Sequence, residues 1–183
     1  MSLPDLLASV RMALVPVIMG FVLAAGQDVS NAFGIAATLF LIAAITDFLD
    51  GYFARRWGIT TILGAFLDTT ADKLLVTGTL LALIAVGRAS VWVTFIIMAR
   101  EFIVMALRGI TAIEGTTVAP SIAGKAKAVV QFAAVFLAMM RFGDELGPFF
   151  VDEWAMIIAA IVTIASGWDY VVKFRDVVHA VDA

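Results

Sequence analysis

Residues 32–87, AFGIAATLFLIAAITDFLDGYFARRWGITTILGAFLDTTADKLLVTGTLLALIAVG, hold the pattern that decides the fold. Two apolar runs, 32–54 and 64–87, each have the length of a membrane-spanning helix. Acids interrupt both where the runs approach each other: Asp47 and Asp50 in the first, Asp68 and Asp72 in the second. An ionisable group at bilayer depth is costly, and marks function by default. Acids spaced by 3 and 4 residues share a helix face and cannot neutralise one another. They require cations, and divalent metals are the natural candidates.

The rest of the chain repeats the same hydropathy. Runs at 2–26, 90–113, 123–142 and 151–174 complete a set of six, and together they fill nearly all of the 183 residues. At 63% hydrophobic and 15% charged, with a mean hydropathy of +1.06, the chain holds more apolar surface than a soluble core could bury. The expected fold is an all-α integral membrane protein: one domain over residues 1–183, a six-transmembrane-helix bundle with an amphipathic, interfacial start around Leu3–Val10. Asp5, Arg11 and Pro16, without a small-residue cleavage site, make the first run a retained helix rather than a signal peptide. Turn-forming groups separate the runs, among them Gly26-Gln27-Asp28, Gly87-Arg88-Ala89-Ser90 and Gly143 to Pro148.

Composition excludes several chemistries. With no cysteine, disulfides and thiolate metal sites are ruled out. A net charge of −3 without a basic run argues against a nucleic-acid partner. The single histidine, His179, falls in a stretch that reads as a solvated tail. Basic residues set the sidedness: Arg55, Arg56 and Lys73 lie near the second connection, Arg108, Lys125 and Lys127 near the fourth, Lys173 and Arg175 near the C-terminus. These regions and the N-terminus are expected to face the cytoplasm.

The acids invite a metal site. Asp47, Asp50 and Ala54 share one face of the second run; Gly64, Asp68 and Asp72 share one face of the third. The short connection predicts the two helices to be antiparallel neighbours, which brings both carboxylate pairs to one place. Hard oxygen ligands at this density suit Mg2+, Mn2+ or Ca2+ rather than zinc. Four carboxylates are enough for two ions, a device that clamps phosphoryl groups. Gly51 and Gly64 leave room for a phosphate or nucleotide beside the acids, Ala54 keeps the wall shallow, and Arg55 offers a fork suited to phosphate oxygens. Each alone has a simpler reading, since small residues also allow close helix packing and an interfacial arginine can snorkel.

The spaced pattern Asp47-x-x-Asp50-Gly51-x-x-Ala54-Arg55, eight residues, then Gly64-x-x-x-Asp68-x-x-x-Asp72 resembles the signature of the CDP-alcohol phosphatidyltransferases. The resemblance implies a six-helix, homodimeric membrane enzyme with a polar cavity open to the cytoplasm. It implies that Asp47, Asp50, Asp68 and Asp72 hold two divalent cations (Mg2+ or Mn2+), and that Asp72 accepts the proton of the attacking alcohol. By the same resemblance Asp47, Gly51, Ala54, Arg55 and Gly64 line the pocket for the CDP-linked lipid.

Further motifs bear on the alcohol. Leu3-Pro4-Asp5-Leu6-Leu7 with Arg11 and Pro16, Ala99-Arg100-Glu101 with Arg108, and Gly124-Lys125-x-Lys127 with Gln131 resemble the bacterial branch that makes phosphatidylglycerol phosphate. That branch implies CDP-diacylglycerol and glycerol 3-phosphate as substrates, with Arg100, Arg108, Lys125 and Lys127 binding the acceptor's phosphate. Asp5 and Thr69 depart from residues common in the branch. A synthase using inositol phosphate is the nearest alternative, and a divalent-cation transporter is the alternative of another class. Against the transporter, the acids gather in one helix pair and have no counterpart in the last two runs.

Overall fold

The computed structural model describes residues 3–57, 62–113, 122–142 and 145–181, and the side chains of 5–47, 64, 66–112, 124, 126–142 and 145–175. Six helices form in chain order: α1 (Leu3–Ala25), α2 (Ala32–Trp57), α3 (Ile62–Ala85), α4 (Val91–Ile113), α5 (Ile122–Met140) and α6 (Val151–Val181). Their starts lie within two residues of those expected from hydropathy. No strand occurs among the described residues.

One difference matters. The helix that contains His179 continues to Val181, so the expected polar tail is helical. Its charges are placed for this: Lys173 donates to Asp169 one turn earlier, 2.9 Å away. The expected amphipathic start around Leu3–Val10 is the first part of the continuous α1, and it carries Asp5, which is buried, as is Arg11.

Helices end where the sequence offers a residue that tolerates left-handed backbone. Asp28 adopts φ 62° after α1; the amides of Asp28 and Val29 donate back to the carbonyls of Ala25 and Ala24, which satisfies two otherwise orphaned acceptors.

The packing is organised around two helices. α1 packs extensively on both α2 and α3, whereas α2 and α3 barely touch each other. The neighbours expected from their short connection are therefore separated by α1. Gly78 makes the close approach possible: a Cβ on it would lie 2.6 Å from Cγ1 of Val15 and 3.1 Å from Sδ of Met19. In the second half α6 packs on both α4 and α5. The halves join through α2–α5, α3–α5 and α3–α4 contacts. A core including Ile18, Val22, Phe40, Leu75, Leu80, Leu83, Ile97, Val135 and Met139 fills the centre. Apolar side chains such as Phe95, Ile103, Ile161 and Trp168 are exposed on the outside.

Among the described residues, the stretches Asp5–Ala25 and Val151–Arg175 are long and apolar enough to cross a membrane, fewer than the six expected. Apolar stretches of α2 and α5 are shorter, Ala32–Asp47 and Ala126–Met140. Charged groups interrupt the apolar sequence of α3 (Asp68, Asp72 and Lys73) and of α4 (Arg100, Glu101 and Arg108).

Arg88, in the turn between α3 and α4, holds the opposite end from the acids. Its Nη1 donates to the carbonyls of Ala138 (3.3 Å) and Met139 (3.0 Å) at the end of α5, while its guanidinium lies 3.8 Å over the Phe33 ring. Burial, with nearby Arg141, pushes its pKa down from the ordinary arginine value. The negative charge of Asp152 opposes that shift.

Candidate functional site

The acids of α2 and α3 meet at a cation. Arg11, 2% exposed, projects from α1 between them, and its Nη1 pairs with Asp47 and, at 3.3 Å, with Asp68. This follows from the position of α1 between the two helices. A guanidinium buried in apolar sequence needs carboxylates, and the carboxylates need a cation. Asp72, one turn after Asp68 on α3, lines a cavity of about 610 Å³.

That cavity sits where the two halves of the bundle join. α3 contributes Thr69, Asp72 and Lys73; α4 contributes Arg100, Glu101 and Arg108; α5 contributes Gly124 and Lys127; α6 contributes Tyr170. Glu101 is the hub of the charged wall, pairing with Lys127 and, at 3.3 Å, with Arg100. Arg100 also donates through Nη2 to the Ser166 hydroxyl, 2.7 Å away. Gly167 leaves room for the arginine stem, since a Cβ there would lie 3.0 Å from Arg100 Cγ. Arg108 stands 5.8 Å from the centre of the Tyr170 ring. Lys73 donates to the Thr69 carbonyl at 3.2 Å, and its charge, like that of Lys127, acts on Asp72.

The residues expected from sequence divide accordingly. Asp47 and Asp68 are brought together, and Asp72 joins Arg100, Arg108 and Lys127 around one cavity. The side chains of Asp50, Gly51, Ala54, Arg55 and Lys125 lie outside the described residues, and Gly64 is described as partly buried on α3. Among the described residues no three acidic or histidine side chains form a group able to hold a metal ion. The donors present are nonetheless chemically right for hard divalent cations, being carboxylate oxygens from two helices that already converge on one positive group. Sequence reading missed the partnership of Arg11 and the contribution of α6. A buried arginine in the first run was a signal for the former, while Ser166 and Tyr170 carry no charge to betray them.

An all-helical bundle with membrane-competent helices and a charged internal cavity is the layout of a membrane protein with a polar ligand site. The chain belongs to the CDP-alcohol phosphatidyltransferase family, which it matches over residues 1–165. It is thus an enzyme of a class that works in membranes and uses divalent metals. It is 36% identical over 182 residues to the CDP-diacylglycerol–glycerol-3-phosphate 3-phosphatidyltransferase of Bacillus subtilis (strain 168), covering 94% of each chain. It is 39% identical over 174 residues to the protein of that name from Pectobacterium atrosepticum, covering 92% of each. A probable phosphatidylglycerophosphate synthase of Mycobacterium tuberculosis is 35% identical over 178 residues, covering 96% of this chain and 83% of its own.

Proposed function

We propose that the protein transfers a phosphatidyl group from CDP-diacylglycerol to glycerol 3-phosphate, releasing CMP and phosphatidylglycerol phosphate. The observation that carries this reading is the charge of the cavity. Among the described lining residues Lys73, Arg100, Arg108 and Lys127 oppose Asp72 and Glu101, leaving a formal excess of two positive charges. That excess matches a phosphate dianion, while an uncharged alcohol would give it no counter-ion. The relatives bearing the glycerol-3-phosphate name support the same acceptor.

In this reading Asp47, Asp50, Asp68 and Asp72 would hold two Mg2+ or Mn2+ ions, which when bound would supply positive charge to neutralise the diphosphate. Gly51, Ala54, Arg55 and Gly64, with Asp47, cradle the CDP end of the lipid. Arg100, Arg108, Lys125 and Lys127 bind the phosphate of the acceptor, and Glu101 fixes Arg100 and Lys127 for that task. The acceptor's hydroxyl oxygen attacks the lipid-bearing phosphorus, the bond from that phosphorus to the CMP oxygen breaks, and Asp72 takes the hydroxyl proton. Position and charge neutralisation supply most of the catalysis in such transfers.

The chain works as one six-span membrane domain, homodimeric, with the acids toward the cytoplasm. The acyl chains remain in the bilayer while the headgroup enters the bundle. Asp72, Arg100, Glu101, Arg108 and Lys127 line a cavity between the helices, as ionisable groups within a membrane are expected to do.

The test is CMP release by purified protein supplied with CDP-diacylglycerol, Mg2+ or Mn2+ and either radiolabelled glycerol 3-phosphate or inositol 1-phosphate. Label entering lipid only with glycerol 3-phosphate supports the reading. Incorporation of inositol phosphate instead would move the acceptor assignment, and cation flux without CMP release would overturn the enzyme.

A further inference from the structure

Along the inner face of α6 runs a series of buried polar side chains at helical spacing: Thr163, Ser166 and Tyr170. The first two have protein partners. Gln131 donates to Thr163 at 2.8 Å, and Arg100 donates to Ser166 at 2.7 Å. Tyr170 is next in the series and lines the cavity beside Asp72 and Arg108. It is 4% exposed, yet among the described residues its hydroxyl has no hydrogen-bond partner. Nε of Arg100, in the same wall, is likewise without one. Buried polar groups are nearly always satisfied, so a phenol orphaned at the edge of a cavity points to a ligand.

We infer that Tyr170 is an acceptor-specificity residue, whose hydroxyl donates a hydrogen bond to a phosphate oxygen of the acceptor while its ring holds Arg108 in place. This rests on the reading of the cavity as the site of a phosphorylated acceptor. The chemistry agrees on three points. A phenol is a donor, as an anionic oxygen requires. The surrounding cations draw the anion in, and a hydroxyl fixed by a rigid ring adds a further directed donor. Arg100, held by Glu101 and Ser166, offers its free Nε to the same ligand.

Tyr170→Phe isolates the hydroxyl, since the ring over which Arg108 lies is kept. Loss of a hydrogen bond to a charged group predicts a rise of about tenfold in KM for glycerol 3-phosphate. Inhibition by inorganic phosphate should weaken by a similar factor, with the effect on KM rather than kcat. Because the hydroxyl lacks a protein partner, the thermal midpoint without acceptor should not fall. Thr163→Val, which removes a satisfied hydroxyl of the series, should leave the KM for acceptor as it is and lower the midpoint.

Three results would overturn the inference: an acceptor KM within twofold of wild type, an equal rise in KM for CDP-diacylglycerol, or a loss confined to kcat. A wild-type protein that releases no CMP with glycerol 3-phosphate would instead refute the proposed reaction, so the two failures are distinguishable.

Discussion

Arg11→Met keeps an unbranched apolar stem and removes a cation that touches acids from two helices. Asp47 and Asp68 both contact one guanidinium nitrogen. Their oxygens therefore lie roughly 6 Å apart or closer, where two unit charges repel by about 3 kcal/mol at an effective dielectric near 20. Water moderates this, because the Asp68 side chain is 48% exposed and that of Asp47 is 24% exposed. The expected cost is about 1–2 kcal/mol in the metal-free protein, or roughly 3–6 °C in thermal midpoint for a chain of this size. If the same acids hold divalent cations, Mn2+ should relieve the repulsion that Arg11 otherwise relieves. The variant should then bind Mn2+ about tenfold more tightly, equivalent to about 1.4 kcal/mol. The difference in midpoint between variant and wild type should shrink as Mn2+ saturates. Thermal unfolding in EDTA and across a Mn2+ series, with free Mn2+ followed by electron paramagnetic resonance, measures both quantities. A deficit of equal size in EDTA and in saturating Mn2+, with Mn2+ affinity unchanged or weaker, would show that Arg11 serves only as scaffold.

Asp68→Asn and Asp72→Asn should each lower CMP release by roughly 100-fold or more while the protein stays folded, as expected for loss of an ion ligand or of a general base; survival of a tenth of wild-type turnover would refute their assignment. Gly167→Leu should displace the Arg100 stem that lies against it and raise KM for glycerol 3-phosphate by roughly tenfold, read by steady-state kinetics. Gly78→Leu should lower stability by about 1–3 kcal/mol in chemical or thermal unfolding, because Val15 and Met19 occupy the space it needs. Glu101→Gln keeps a hydrogen-bond acceptor but strands the buried Lys127 charge, and should cost about 3 kcal/mol in the same assay.

Helix positions were legible because the apolar runs are long and the turns between them carry Gly, Asp and Asn. The acids were legible because charge in apolar sequence has few innocent explanations. What hydropathy does not encode is which helix faces which. A short connection implied that α2 and α3 pack together, yet α1 separates them, since Gly78 lets α1 approach α3 more closely. That single placement accounts for the unforeseen role of Arg11. The tail was misread for a related reason: Lys173, Arg175 and Asp176 break the apolar run without breaking the helix, and Asp169 and Lys173 support it one turn apart. Ser166 and Tyr170 stayed hidden because a hydroxyl or a phenol is unremarkable in a helix until its partners, or their absence, are seen.

The two halves of the bundle divide the electrostatic work. In the first, α1 lies between α2 and α3, and its arginine stands among their acids. In the second, α6 packs on α4 and α5, and its polar face meets Arg100, Arg108 and Gln131. Each organising helix thus meets the opposite charge, or a neutral dipole, rather than adding to what its neighbours carry. Asp72 stands at the seam, one turn from Asp68 in the acidic half and facing Lys127 and Arg108 in the basic half. A diphosphate beside the acids and a phosphate dianion beside the cations would meet only there. Both ligands are anionic and repel each other in a medium of low dielectric, so they must be held by separate sets of cations. A fold that keeps those sets on different helices, with one carboxylate between them, brings nucleophile and leaving group together without merging their binding sites.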